Sequence, residues 1–460
     1  MESPPPSILI LGSGVFGLST ALSLTQRPLF KDTSITVLDR SPFPSPDGSS
    51  IDTSRIVRSD YSDPLYARLG AEAMTIWRSS SSSSSHPLAG LGEEGRYSQS
   101  GLIWACNKGE KGQEYVKGSY ENMVSMGAEK QKVTELKSRK EIEERARTGG
   151  GTGDWGYANS SSGWADAEAG MRFLRKVVER TGRVTFLQGQ AVSLLRSPPS
   201  SPSKKTKIHG VKLSTGEELH AHLVILATGA WTGALVDLRG RATATGQVLC
   251  YLPLTPNEQA TLSKMPVLMN MSTGMFIIPP SSSPSKPLLK VARHGYGYSN
   301  PTSIPHPNSL STSNEKPTIT ISLPRTTLTD PTLSVPLEGQ TACRLALSEM
   351  IPSLATRPFT ASKICWYTDT PTGDFLVTYH PEYEGLFLAT GGSGHGYKFL
   401  PVIGERVVDL VEGRGERELR EKWRWPEGVV GNVVTEDGSR GGRPGMVLDE
   451  EIGRGKGSKL

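Results

Sequence analysis

An α/β unit built on a parallel sheet, interleaved with a mostly antiparallel α+β unit, is the fold class that this 460-residue sequence predicts. Three observations carry the prediction. Apolar runs end in glycine turns near the start, the middle and the end of the chain. Helical stretches follow the first and the last of these turns, and short alternating segments fill the interval from Gly246 to about Ser353.

The first turn is the most specific. Ile8-Leu-Ile-Leu11 reads as a buried parallel strand. Gly12-Ser13-Gly14-Val15-Phe16-Gly17 then opens a helix that runs on through Leu18–Leu24. Gly12 permits the tight turn, Gly14 lets backbone approach a pyrophosphate, and Gly17 allows close packing of helix on strand. The first N–H groups of that helix face the phosphates. A second strand, Ile35–Leu38, ends at Asp39, 22 residues beyond Gly17, where a ribose-binding carboxylate belongs. With both strands, the helix and the acid in register, the segment predicts a Rossmann-like dinucleotide site. NAD and FAD share this fingerprint, so the nucleotide stays open at this point.

Further elements follow in order. Val184–Leu187, Gly210–Leu213 and Glu218–Leu226 read as strands, the last running into Ala227-Thr-Gly229-Ala-Trp231 beside the nucleotide. Met275–Ile278, Leu288–Ala292 and Thr318–Ser322 alternate as antiparallel strands do. Leu386–Gly392 repeats the strand-to-glycine pattern, and Ile403–Val411 reads as a helix. The serine run Ser79–Ser85, the stretch Thr148–Gly153 and the Ser/Pro segments at 197–203 and 281–287 read as surface loops, since polar low complexity buries little apolar surface. No internal repeat is present.

Composition excludes several classes. The net charge of +5 is small for this length and its basic residues are dispersed, so no nucleic-acid partner is expected. No apolar run reaches membrane-spanning length, and the N-terminus lacks the regions of a signal peptide. Four widely spaced cysteines without a CxxC pair point to a reducing compartment, with no disulfide framework or metal site. Ser458-Lys459-Leu460 has the form of a peroxisomal import signal, and the glycines before it predict a flexible tail. A peroxisomal location, with its import receptor as partner, favours an oxidase and therefore FAD.

Cys365-Trp-Tyr-Thr-Asp-Thr-Pro371 and Gly392-Ser-Gly-His-Gly-Tyr-Lys-Phe399, together with Asp52-Thr-Ser-Arg-Ile-Val-Arg-Ser-Asp-Tyr61, make the chain resemble the monomeric sarcosine oxidase family of flavoenzymes. That family includes pipecolate, saccharopine and fructosyl amino acid oxidases, and the resemblance spans nearly the whole chain. It implies FAD bound covalently through an 8α-S-cysteinyl bond at Cys365. It also implies Lys290 near flavin N5 as the oxygen-activating ammonium, with His294 four residues on in the active site. Arg58 and Lys398 match the pair that grips substrate carboxylate, a fork and a point charge. Arg55 matches an arginine beside the flavin, His395 shapes the flavin edge with a lesser catalytic part, and Tyr367 is expected to line the substrate pocket. Expected cofactor contacts are Gly12, Ser13, Gly14, Val15, Phe16, Gly17, Asp39, Arg40, Ser54, Arg55, Gly229, Cys365, Gly394, Gly396 and Lys398.

The implied reaction is oxidation of the C–N bond of a secondary amino acid such as pipecolate, saccharopine or sarcosine, with oxygen as acceptor and hydrogen peroxide as product. Ser54-Arg55 stands where fructosyl amino acid oxidases carry asparagine-lysine, which makes a deglycating enzyme the alternative, beside a biosynthetic amine oxidase or a flavin dehydrogenase. The implied arrangement is a discontinuous FAD-binding domain (1–95, 155–240 and 355–425), a substrate domain (96–154 and 241–354) and a C-terminal tail (426–460). A monomer is expected.

Overall fold

The computed structural model describes residues 3–129, 131–197, 201, 205–283, 285, 287–309 and 317–457. Ser7–Leu11 lies inside a six-stranded sheet whose order is Leu376–Tyr379, Leu386–Thr390, Leu223–Leu226, Ser7–Leu11, Ser34–Asp39, Val184–Gln188. Every neighbouring pair is parallel except the edge pair of Leu376–Tyr379 with Leu386–Thr390. The continuous apolar run at Ile8–Leu11 follows from burial on both faces. Helices Val15–Gln26 and Leu400–Val411 cover one face and press together closely enough that a Cβ on Gly404 would stand 2.0 Å from the Ser19 carbonyl oxygen. The other face packs Leu9, Leu11, Val224 and Leu226 against Leu194, Ile208 and Val211 of a small sheet built on Ala191–Ser197 and Thr206–Leu213.

One expected strand divides in two. Glu218–His220 pairs antiparallel in the small sheet, whereas Leu223–Leu226 joins the parallel sheet. The chain changes sheets at Ala221-His222, where the His222 N–H donates to the Ser7 carbonyl at 3.2 Å. Alternating apolarity continues through that crossing, so it masks the break.

A ten-stranded sheet, mostly antiparallel, forms the second layer among the described residues. Its long strand Thr243–Pro253 pairs with Leu288–Arg293 on one side and with Ala361–Asp369 on the other. Tyr251 is thereby opposite Lys290, and Gln247 opposite Cys365. Two segments separated by 67 intervening residues, on either side of residue 300, are held one strand's width from a common neighbour. Thr318–Ser322 forms a separate hairpin with Pro301–Pro305.

The end of the chain departs from the flexible tail expected of its glycines. Leu448–Gly457 is a helix with Leu448 fully buried, packed on Leu337–Met350. Asp449, Glu450 and Glu451 occupy its first turn, where the helix dipole favours acids, and Glu451 accepts from both Arg443 and Arg454. Ser458-Lys459-Leu460 lies outside the described residues. Among the described residues no helix is long and apolar enough to cross a membrane.

Candidate active site

At the carboxyl ends of the parallel strands a groove opens, lined by Gly12–Gly14, Asp39, Arg40, Ser49–Ile51 and Ala227–Trp231. Its glycines are required by contact. Gly12 has φ +103°, and a Cβ there would stand 2.4 Å from the Ala227 carbonyl oxygen. A Cβ on Gly17 would stand 1.8 Å from the Gly12 carbonyl oxygen. Helix Val15–Gln26 has no cap from its own N-cap residue, Gly14; the Val15 N–H donates to the Ser50 hydroxyl at 3.1 Å, and the positive end of the helix faces the groove. Asp39 accepts from the Ser13 N–H at 2.7 Å and hydroxyl at 2.8 Å, so the carboxylate also fixes the glycine loop. Arg40 pairs with Asp47 and lies over the Trp231 ring at 4.0 Å. Gly229, φ +52°, sits on the opposite wall. Val15 is buried, and Phe16 meets Phe375 edge-on and fills the space under Gly392 and Gly396.

A second cavity lies against the ten-stranded sheet, bounded by the Arg55–Arg58 segment and the turn Gly394–Lys398. It brings together Arg55, Arg58, Lys290, His294, Cys365, Tyr367, Gly394, His395 and Lys398, which the sequence scatters over more than 340 positions. Gly394 has φ +69°, and any side chain there would strike the Tyr367 ring. Trp104, Leu249, Met269, Phe276 and Ile278 supply an apolar wall.

Asp52 organises one end of this chamber, a role its sequence context does not reveal. Its carboxylate accepts from Lys290 Nζ at 2.6 Å, from the Tyr251 hydroxyl at 2.7 Å and from Arg55, with Lys363 at 3.5 Å. Burial would raise its pKa, but the charges of Lys290, Arg55 and Lys363 outweigh it and hold the carboxyl well below the usual range. Burial pushes Lys290 down to about 7, with Asp52 opposing and Arg55 reinforcing the shift. Lys290 also donates to the carbonyl of buried Ser54 at 2.8 Å. From Arg55, Nη2 reaches Cys365 Sγ at 3.5 Å.

The other end is built differently. The Arg58 guanidinium lies 4.2 Å from the centre of the Trp104 ring and 4.3 Å from that of Tyr61, with Nη1 buried and without a hydrogen-bond partner. Lys398 Nζ donates to the Tyr61 hydroxyl at 3.0 Å and the His395 carbonyl at 2.9 Å. Burial, then Arg58, depresses its pKa strongly. Among the described residues, neither cation is paired with a carboxylate. Isolated buried charge is costly, and no protein carboxylate among the described residues offsets it at this end of the chamber. His395 has both ring nitrogens engaged, with the Tyr61 hydroxyl at 3.0 Å and the Gly373 carbonyl at 2.8 Å.

Residues 7–410 match the family described as FAD dependent oxidoreductase. The chain belongs to that family. Amino acid oxidase imqH of Aspergillus flavus is 32% identical, over 92% of this chain and 98% of its own. L-Saccharopine oxidase of Schizosaccharomyces pombe is 27% identical over 92% and 93% respectively. The solved fructosyl peptide oxidase from E. terrenum shares 26% identity and a TM-score of 0.81, covering 98% of this chain and 97% of its own. Family membership makes the chain a flavin oxidoreductase. The residues fit the FAD this family takes: the groove offers a glycine cradle that any Cβ would fill, a helix N-terminus for phosphate and a carboxylate at Asp39. All the site residues expected from sequence fall inside the family span, and Arg440 lies beyond it.

Proposed function

We propose that this protein oxidises the C–N bond of a secondary amino acid, with FAD as cofactor and oxygen as acceptor, and releases hydrogen peroxide. The observation that carries the reading is the buried pair Arg58 and Lys398, without a carboxylate partner among the described residues, in the same chamber as Lys290 and facing its apolar wall. A substrate carboxylate completes that pair: Arg58 offers its free Nη1 and Lys398 a point charge. The same positive charge disfavours a protonated amine, so the site holds the amine in its neutral, oxidisable form. Hydride acceptance and delivery of electrons to oxygen are the chemistry that FAD supplies when bound. Lys290, fixed by Asp52 and the Ser54 carbonyl, presents a positive charge where oxygen becomes negatively charged. Arg55 holds the Cys365 sulfur at the chamber wall, which supports Cys365 as the site of the 8α thioether. Tyr367 walls the chamber, and His395 keeps Tyr61 and Lys398 oriented.

The apolar wall favours a compact substrate such as pipecolate or sarcosine over saccharopine, whose additional carboxylates find no further unpaired cation among the described residues lining the chamber. A fructosyl amino acid is the second reading, favoured by the fold's likeness to the fructosyl peptide oxidase. Import into peroxisomes as a monomer, through Ser458-Lys459-Leu460, completes the proposal. Anaerobic bleaching of the yellow holoenzyme by a panel of pipecolate, saccharopine, sarcosine and fructosyl valine, followed by peroxide detection in air, tests it. Bleaching by a secondary amino acid is expected. Bleaching by the fructosyl compound alone would move the enzyme to the second reading, and none by any amine would remove both.

A further inference from the structure

Past the family span, the chain returns to pack behind the chamber wall. The Thr435 hydroxyl donates to the Thr370 carbonyl at 2.8 Å, and the Glu436 N–H to that of Pro371 at 2.9 Å. Gly441 and His294 lie side by side: the Gly441 N–H donates to the His294 carbonyl at 3.2 Å, and the Tyr296 N–H to that of Gly441, also at 3.2 Å. Only glycine fits here, since a Cβ on Gly441 would stand 2.1 Å from the Thr273 backbone. This strap carries Arg440, 2% exposed, to His294. Arg440 Nη2 donates to Asp369 Oδ1 at 2.7 Å and to the Ser393 carbonyl at 2.9 Å. Its Nη1 lies 3.2 and 3.3 Å from the two ring nitrogens of His294. Asp369 ends the strand that bears Cys365 and Tyr367, and it also accepts from Thr245.

A guanidinium has only donors and keeps its proton in a protein. A second cation beside it is repelled, whereas the electron-rich face of a neutral imidazole is welcome. We propose that Arg440 is a positioning residue of the active site: anchored on Asp369 and Ser393, it holds His294 as a neutral imidazole, so that a C-terminal segment outside the family span supports the chamber wall from behind. Burial depresses the His294 pKa first, and Arg440 is the largest of the charges that add to it, ahead of His395, Arg58 and Lys398. Tyr367, with its ring centre 5.9 Å from that of His294, is a further titratable neighbour, Arg293 lines the same cavity in ion pair with Glu338, and Asp369 acts through Arg440.

The inference rests on the reading of the chamber as the amine-oxidising site, and the two can fail separately because the decisive signal needs no substrate. It is the ring resonance of His294 in histidine-labelled holoenzyme, assigned with His294→Gln and followed against pH. In the wild type that ring stays neutral through the ordinary histidine range. Arg440→Gln, and Arg440→Gln with Asp369→Asn to leave no orphan carboxylate, shift its titration upward. They also add an acid limb to the rate of anaerobic flavin reduction. Arg440→Lys restores the charge but not the two-armed reach, so its titration falls between. A wild-type His294 that titrates in the ordinary range overturns the proposal whether or not any variant folds. So does a folded double variant with an unchanged His294 titration.

Discussion

Replacing Asp52 by asparagine removes the one carboxylate that Lys290 touches while leaving shape nearly unchanged. The Lys290 and Asp52 side chains are 3% and 1% exposed, and the ion pair spans 2.6 Å. Two unit charges at that distance attract by roughly 6 kcal/mol at an effective dielectric of ~20. Breaking a buried pair costs about 3–5 kcal/mol in practice. Even the lower figure, set against 1.36 kcal/mol per tenfold change, weakens proton binding at Lys290 by about a hundredfold. The sign follows from the direction of the existing shift. Burial already brings Lys290 down to about 7 against the pull of Asp52, so the ammonium is full below that pH and lost above it. Without Asp52 the midpoint moves further down and the charge disappears at neutral pH. In stopped flow, reduced wild-type holoenzyme mixed with oxygen should reoxidise more slowly as pH rises through about 7. Asp52→Asn should lag at neutral pH by roughly tenfold or more and recover toward acid. Lys290→Met should be slow at every pH. An Asp52→Asn enzyme that follows the wild-type pH course refutes the reasoning.

Acid precipitation of wild type should leave the yellow chromophore in the pellet, and Cys365→Ala should release it to the supernatant; release from both would remove the covalent bond. Arg58→Lys should raise KM for an amino acid substrate by about tenfold to a hundredfold, as expected for losing a charge-assisted hydrogen bond worth about 1.5–3 kcal/mol. A matched amine lacking the carboxylate should show no such difference in steady-state assays. Gly17→Ala puts a methyl 1.8 Å from the Gly12 carbonyl oxygen, so helix and strand must separate. The expected product is colourless protein, checked by the flavin absorbance of the purified variant.

Where the sequence was legible, short-range order carried the chemistry. Strand, three glycines, helix and Asp39 lie within 39 residues, and each has a backbone reason to stand where it does. Cys365 and Tyr367 alternate on one strand, and Arg55 and Arg58 lie three apart, so a motif could list them together. Partners were not legible. Lys290 meets Asp52 across 238 positions, and Arg440 meets His294 across 146. No periodicity encodes such pairs, because loops return from far along the chain to the sheet: the segment before Arg55–Val57 carries Asp52 to Lys290, and the strap at Gly441 carries Arg440 to His294. The tail misled for a related reason. Its glycines lower helix propensity, but the buried Leu448 and Glu451 outweigh that through tertiary contacts.

The charges of the chamber divide by whether the protein supplies the counterion. Lys290 and Arg55 share Asp52, and Arg440 has Asp369. These pairs are closed, and each holds a neighbour in place: the Ser54 carbonyl, the Cys365 sulfur and the His294 ring. Arg58 and Lys398 are open. Arg58 is stabilised by two aromatic faces, which supply cation–π attraction without neutralising it, and Lys398 by the Tyr61 hydroxyl and a carbonyl. An open pair built from aromatic faces and neutral oxygens costs stability in the empty protein and regains it when a carboxylate enters. In the proposed reaction, binding energy is thereby concentrated on the α-carboxylate, away from the reacting carbon, and the apolar wall of Trp104, Leu249 and Phe276 is left to choose the rest of the substrate by shape.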